Sequence, residues 1–201
     1  MIPSGLGSVM SGYGYTVFDT AIGRCGIAWG DLGIVGVQLP EVREIDTRRR
    51  LFQLYPDARE LCPPPNVQVA IEGIFALLRG AACDFAEVAL DMAGIPAFSQ
   101  RVYAYARSIP RGETRTYAEI ASALRASGAV YSVAQAIGRN PFMIIVPCHR
   151  VLEAGNYADK ISPHGGAISK RRLLSLEGAS PTVSKTLFDV LLPVAPPRAH
   201  P

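Results

Sequence analysis

No apolar run in this chain approaches the roughly 20 residues that a membrane span requires. The first residues also lack the basic segment, hydrophobic stretch and cleavage site of a secretory leader, so the expected address is cytoplasmic, with no membrane partner. Cysteine is sparse: Cys25, Cys62, Cys83 and Cys148 include no CxxC pair and share no metal-ligand spacing with His149, His164 and His200. Neither a disulfide framework nor a metal site is therefore expected. Internal repeats are missing too. Surplus charge is small: a net +3 with pI near 8.7 permits contact with nucleic acid without demanding it. What the chain does hold is apolar material, 49% of 201 residues, enough for one large domain or two small ones.

Residues 1–12 are rich in Gly and Ser and are expected to be disordered. Tyr15–Asp19, Cys25–Trp29 and Gly33–Gln38 are short runs of β-formers separated by Gly-containing turns, which predicts an antiparallel meander. Glu41–Leu54 sets charges around Ile45, Leu51, Phe52 and Leu54 and reads as a short amphipathic helix. Arg48-Arg49-Arg50 then falls on its wet face rather than forming a nucleic-acid patch. After Pro63-Pro64-Pro65, Asn66 is the expected cap of an apolar helix running through Val67, Ile71, Ile74 and Leu78 to Arg79, a core stripe and not a cofactor box. Phe85–Met92 is expected as one more strand. Gly94-Ile95-Pro96 is the expected seam between a first domain, 13–94, and a second, 95–179.

Beyond that seam the pattern turns helical. Pro96 opens a helix that ends at Ile109-Pro110, and Thr116 is a fair N-cap for Tyr117–Leu124. After Ala126-Ser127-Gly128, a second short helix covers about Val130–Gly138, so the pair has the form of a helix-turn-helix. Ile168–Glu177 predicts a basic-faced helix closed by Gly178. Residues 180–201 are proline-rich and are expected to form an extended tail.

The chain is organised around Asn140-Pro141-Phe142-Met143-Ile144-Ile145-Val146-Pro147-Cys148-His149-Arg150-Val151. Met143–Val146 drive inward, and Pro147 blocks continuation of a helix or a paired strand just before Cys148. Cys148 should therefore sit at a buried turn. A thiol must ionise before it attacks anything, and an adjacent imidazole is one means of taking its proton, directly or through a water. Taken alone, such a pair equally fits an inert core cysteine.

The neighbours go further. Pro-Cys-His-Arg-Val with its upstream Asn-Pro, the Gly-Glu-Thr-x-Thr-Tyr entry at residues 112–117, and the closing Lys-Arg-Arg-Leu-Leu-x-Leu-Glu-Gly at 170–178 together resemble the O6-alkylguanine-DNA alkyltransferases. The resemblance covers about residues 13–179. It implies a mixed α/β (α+β) protein, with a ribonuclease-H-like first domain and a helical, winged-helix-like second domain carrying the helix-turn-helix. It also implies that Cys148 takes an alkyl group from O6-alkylguanine, or from O4-alkylthymine, in double-stranded DNA. The transfer would be single-turnover, by a monomer without a cofactor. His149 would take the thiol proton through water, Glu177 would orient the imidazole, and Asn140 would brace the turn. Tyr117, the carbonyl of Val151, Ile161 and Ser162 would meet the flipped base. Tyr131, Ser132, Gln135, Arg139 and Arg150 would face the DNA.

Two positions depart from the family pattern. Tyr131 stands where members carry an arginine that fills the gap left by the flipped base, and Ile161 stands where an aromatic is expected before Ser162. Two other functions therefore stay open: a binding module of the same superfamily that recognises alkylated guanine without removing the group, and an unrelated thiol enzyme.

Overall fold

The computed structural model describes residues 13–153 and 166–179. The expectations for residues 1–12, for Ile161 and Ser162, and for the tail at 180–201 lie outside the described residues. Three strands, β1 (Gly14–Thr20), β2 (Gly23–Gly30) and β3 (Gly33–Gln38), form the expected antiparallel meander. Gly23 and Gly33 open β2 and β3 at positive φ, which an L-residue adopts only with strain. Helix α1 (Glu44–Leu54) then crosses to the two-residue strand β4 (Arg59–Glu60), which pairs parallel to β1, so the sheet order is β3-β2-β1-β4. The mixed α/β architecture read from the sequence is the one observed. The arginine run lies in ion pairs along α1, with Arg48 reaching Glu44 and Glu60 and Arg49 near Asp46.

Two local expectations need correction. Helix α2 (Pro65–Leu78) is capped by Pro64, with Pro65 at its first position, so Asn66 falls inside the first turn. The fixed φ of proline suits that position and its missing N–H costs nothing there. Phe85–Met92 is not a strand either. It touches the sheet through a single bridge, Ile34 to Leu90, with Ile34 N donating to Ala89 O and Asp91 N donating to Ile34 O.

Helix α3 (Ala97–Arg107) buries Val102, Tyr103 and Ala106. The two-residue strand β5 (Arg115–Thr116) leads into helix α4 (Tyr117–Ala123), and helix α5 (Val130–Gly138) follows after one 3-10 turn. Thr116 caps α4 as expected: its hydroxyl accepts from Glu119 N while the Glu119 carboxylate accepts from Thr116 N, a reciprocal box. A further two-residue strand, β6 (Val151–Leu152), pairs parallel with β5, and helix α6 (Gly166–Leu176) ends where Gly178 turns left-handed at φ +76°. One buried apolar core runs without interruption from Cys25 and Ile27 of the sheet, through Ile74 of α2, to Val102, Ile120 and Val133 of the helical half. Among the described residues no helix is long and apolar enough to cross a membrane.

Candidate active site

Residues 140–151 leave α5 and run along the edge of the sheet. Val37 N donates to Pro141 O at 2.8 Å, and Val37 bridges Phe142, so β3 holds the start of this loop. Met143, Ile144, Ile145 and Val146 are all buried, as their apolar character requires. The Asn140 side chain spans them: its Oδ1 accepts from Phe142 N at 2.9 Å and its Nδ2 donates to Val146 O at 2.9 Å. Inside that clamp Ile144 has φ +74°, an uncommon conformation for a β-branched residue. The clamp and the packing of a nearly inaccessible side chain over-determine the turn and hold the strain in place.

A single 3-10 turn, Cys148–Arg150, follows Pro147, with Cys148 N donating to Val146 O and Arg150 N to Pro147 O. Cys148 is half-buried and unpaired with any other cysteine. Burial pushes its thiol pKa up, against the pull of the Asn140 amide, the Lys170 ammonium and the backbone N–H groups of the turn. The free protein therefore favours the thiol, and attack needs a partner to take the proton.

A group able to accept a proton is adjacent in the chain. His149 is buried, and its Nε2 lies 3.0 Å from Glu177 Oε1 at the end of α6. Desolvation lowers the imidazole pKa; Glu177 opposes this, while Arg150 and Lys170 reinforce it. The ring is thus neutral near pH 7. An ionised carboxylate can only accept, which places the ring proton on Nε2 and the lone pair on Nδ1. Among the described residues, Nδ1 is the one buried side-chain nitrogen or oxygen with no hydrogen-bond partner. Burial alone would raise the Glu177 pKa, but hydrogen bonds from His149 and Arg150, and their charges, hold it down at about 2.

Arg150 corrects an expectation. The resemblance implies a residue facing DNA, yet Arg150 is buried, with Nε 2.9 Å from Glu177 Oε2, Nη2 2.7 Å from Glu177 Oε1 and Nη1 2.6 Å from Ile109 O. A guanidinium in such a fork spends its donors inside the molecule, where it fixes the carboxylate that orients His149.

The β5–β6 pairing aligns Thr116 with Leu152 and so brings Tyr117, the next residue, to the Cys148 turn. Tyr117 is half-buried, and its phenol pKa is raised by desolvation and then by Cys148 and Glu153. Helix α5 buries Val133, Ala136 and Ile137 and turns Ser132, Gln135, Arg139 and Tyr131, 78% exposed, outward. Tyr131, Gln135 and Arg139 follow one another at four-residue spacing and line a single face. Sequence reasoning passed over one residue here. Lys170 of α6 donates from Nζ to Val151 O at 2.6 Å, and desolvation lowers its pKa against the attraction of Cys148. The signal was its place in the 170–178 motif. No cluster of three or more His, Cys, Asp or Glu among the described residues is arranged to hold a metal ion.

Residues 97–179 match the family described as "6-O-methylguanine DNA methyltransferase, DNA binding domain". Over 156 residues, 77% of this chain and 80% of the relative, the sequence is 35% identical to a methylated-DNA–protein-cysteine methyltransferase of Methanothermobacter thermautotrophicus. It is 41% identical to one of Mycobacterium bovis over 144 residues, 70% of this chain and 84% of that one. Among solved structures it resembles the O6-methylguanine methyltransferase of Mycobacterium tuberculosis (TM-score 0.65, 32% identity, 85% of this chain and 96% of that chain). The M. tuberculosis OGT in complex with DNA is similar at TM-score 0.64 and 32% identity, covering 84% of this chain and 96% of that one.

Proposed function

The chain belongs to the methylated-DNA–protein-cysteine methyltransferases, and from that premise we propose that it repairs DNA by moving an alkyl group from O6-alkylguanine to its own Cys148. The sulfur–carbon bond forms as the carbon–O6 bond breaks, the thiol proton leaves through His149 and bound water, and N1 of the departing guanine regains a proton. Atoms balance without a cofactor. Because a thioether is not cleaved again, each molecule acts once. The observation that carries this reading is the buried His149–Glu177 pair, 3.0 Å apart, which leaves Nδ1 free to take a proton one residue from the thiol.

In this reading residues 13–94 brace the reactive loop and residues 95–179 meet the DNA. A monomer, acting in the cytoplasm, would lay α5 on the duplex with Tyr131, Ser132, Gln135 and Arg139 facing it. Tyr131 would wedge into the stack in place of the family's arginine. The lesion, extruded at a cost of about a few kcal/mol, would sit between Tyr117 and the Cys148 turn, with the Val151 carbonyl reading its exocyclic amine and Ile161 and Ser162 at the pocket edge.

Incubating the purified chain with a duplex carrying O6-methylguanine, followed by peptide mass analysis, tests the proposal. The expected result is one methyl group on the Cys148 peptide, lost in Cys148→Ala while DNA binding remains. Tight binding to the lesion without a change in mass would instead make this a recognition module.

A further inference from the structure

Early in the chain Arg24, Arg43, Arg48 and Arg49 lie against carboxylates. The turn between α4 and α5 is built differently. Residues 120–152 include no aspartate or glutamate, and residues 92–112, which carry α3, include none either. Two exposed arginines meet at that turn. Arg101 of α3 donates from Nη2 to Leu124 O at 2.8 Å, a carbonyl at the end of α4, and Arg125 is the next residue along the chain. Among the described residues no carboxylate pairs with Arg101, and no ion pair or hydrogen bond engages the Arg125 guanidinium.

Arg125 also stands where glycine would be the undemanding choice. Helix α4 closes with Arg125 N donating to Ser122 O at 2.9 Å and Ala126 N to Ala121 O at 2.8 Å, the paired bonds of a left-handed helix end, and Arg125 takes φ +55°. Glycine enters that region without strain, whereas a residue with a Cβ does not. A strained arginine with a free guanidinium, set beside a second cation, gives the isolated protein nothing and suits an anionic partner.

Position says which anion. Through the 3-10 turn Ser127–Ala129 this segment feeds into α5, whose exposed Tyr131 brings no charge where the family carries an arginine. A duplex laid on α5 presents backbone phosphates along the rims of that helix, and a guanidinium fork meets a phosphate with two parallel N–H donors. We infer, on the docking of α5 proposed above, that Arg101 and Arg125 form a phosphate-binding patch at the turn of the helix-turn-helix, which grips the DNA backbone beside Tyr131 and supplies the cation that position 131 lacks. The work of one arginine is thus divided between an uncharged aromatic wedge in the base stack and a pair of cations on the strand.

The test measures the affinity of the full chain for an unmodified duplex by fluorescence anisotropy between about 50 and 200 mM salt. Arg125→Gly and Arg101→Gln should each weaken binding about threefold or more and lower the slope of log affinity against log salt by about 1, and the double variant should lower it by about 2. Because glycine suits φ +55°, Arg125→Gly should keep its urea midpoint, which separates lost affinity from a damaged fold. Arg49→Gln removes the same charge from α1 and should leave the slope at its wild-type value. Wild-type affinity and slope in Arg125→Gly and Arg101→Gln, or an equal fall in Arg49→Gln, would overturn the patch alone. A wild type whose binding to DNA ignored salt would overturn the docking of α5 and the patch together.

Discussion

Glu177 serves a neutral imidazole and a guanidinium with one carboxylate. Replacing it by glutamine keeps the shape and removes the charge on which His149 and Arg150 both depend. Breaking a buried ionic cluster by removing one member costs about 3–5 kcal/mol, because the remaining charge stays uncompensated. We expect Glu177→Gln to lower the unfolding free energy by about that much in urea titrations and to slow methyl transfer by about tenfold or more. Asn140→Asp is a finer probe. It retains an acceptor for Phe142 N but turns a carboxylate oxygen toward Val146 O and adds negative charge near the sulfur. The thiol should become harder to ionise, read as slower alkylation of Cys148 by iodoacetamide at pH 8 with little change in affinity for DNA. At this scale the contact between His149 and Glu177 was legible because the motif fixes which residue types stand together. Arg150 was not, since a sequence displays a charge but not the direction in which a four-bond side chain points.

Among elements, the helix-turn-helix and its cap were legible because apolar spacing and a Thr-x-x-Glu box are local signals. Thr116→Ala should cost about 1 kcal/mol in a urea melt, as loss of an N-cap does elsewhere. Arg139→Ala, on the exposed face of α5, should weaken binding to DNA of any sequence and lower the slope of log affinity against log salt by about 1. The β5–β6 pairing could not be foreseen: two residues display no periodicity, yet this contact sets Tyr117 beside Cys148. The strand expected at Phe85–Met92 failed for a related reason. Alternating apolar residues there pack on the core, while only Leu90 bridges the sheet and the backbone bends away on either side. Nor does the composition of Met143–Val146 announce the left-handed turn at Ile144, which the surrounding clamp imposes.

For the molecule as a whole, the buried ionisable groups set the pH window of stability. His149 and Glu177 have lowered pKa values in the folded protein, so the unfolded chain binds their protons first as pH falls. Their contribution is fully present above about 6.5 for the histidine and about 4.3 for the glutamate, the unfolded values, and drains away below each. Cys25, Tyr55 and Tyr103 are held up at about 12 by burial, so the unfolded chain releases their protons first and stability falls again above about pH 9. Urea midpoints measured across pH 3–11 should trace a dome, whose acid limb flattens in Glu177→Gln.

The outer edge of β3 is occupied on both sides of its length, by residues 89–91 and by Pro141-Phe142. The loop that presents the thiol thus takes its stiffness from a strand made far earlier in the chain, and the ladder that would otherwise recruit a neighbouring molecule is already sealed. Cut free of residues 13–94, the catalytic half would keep every group the reaction names and lose the rail on which they are mounted.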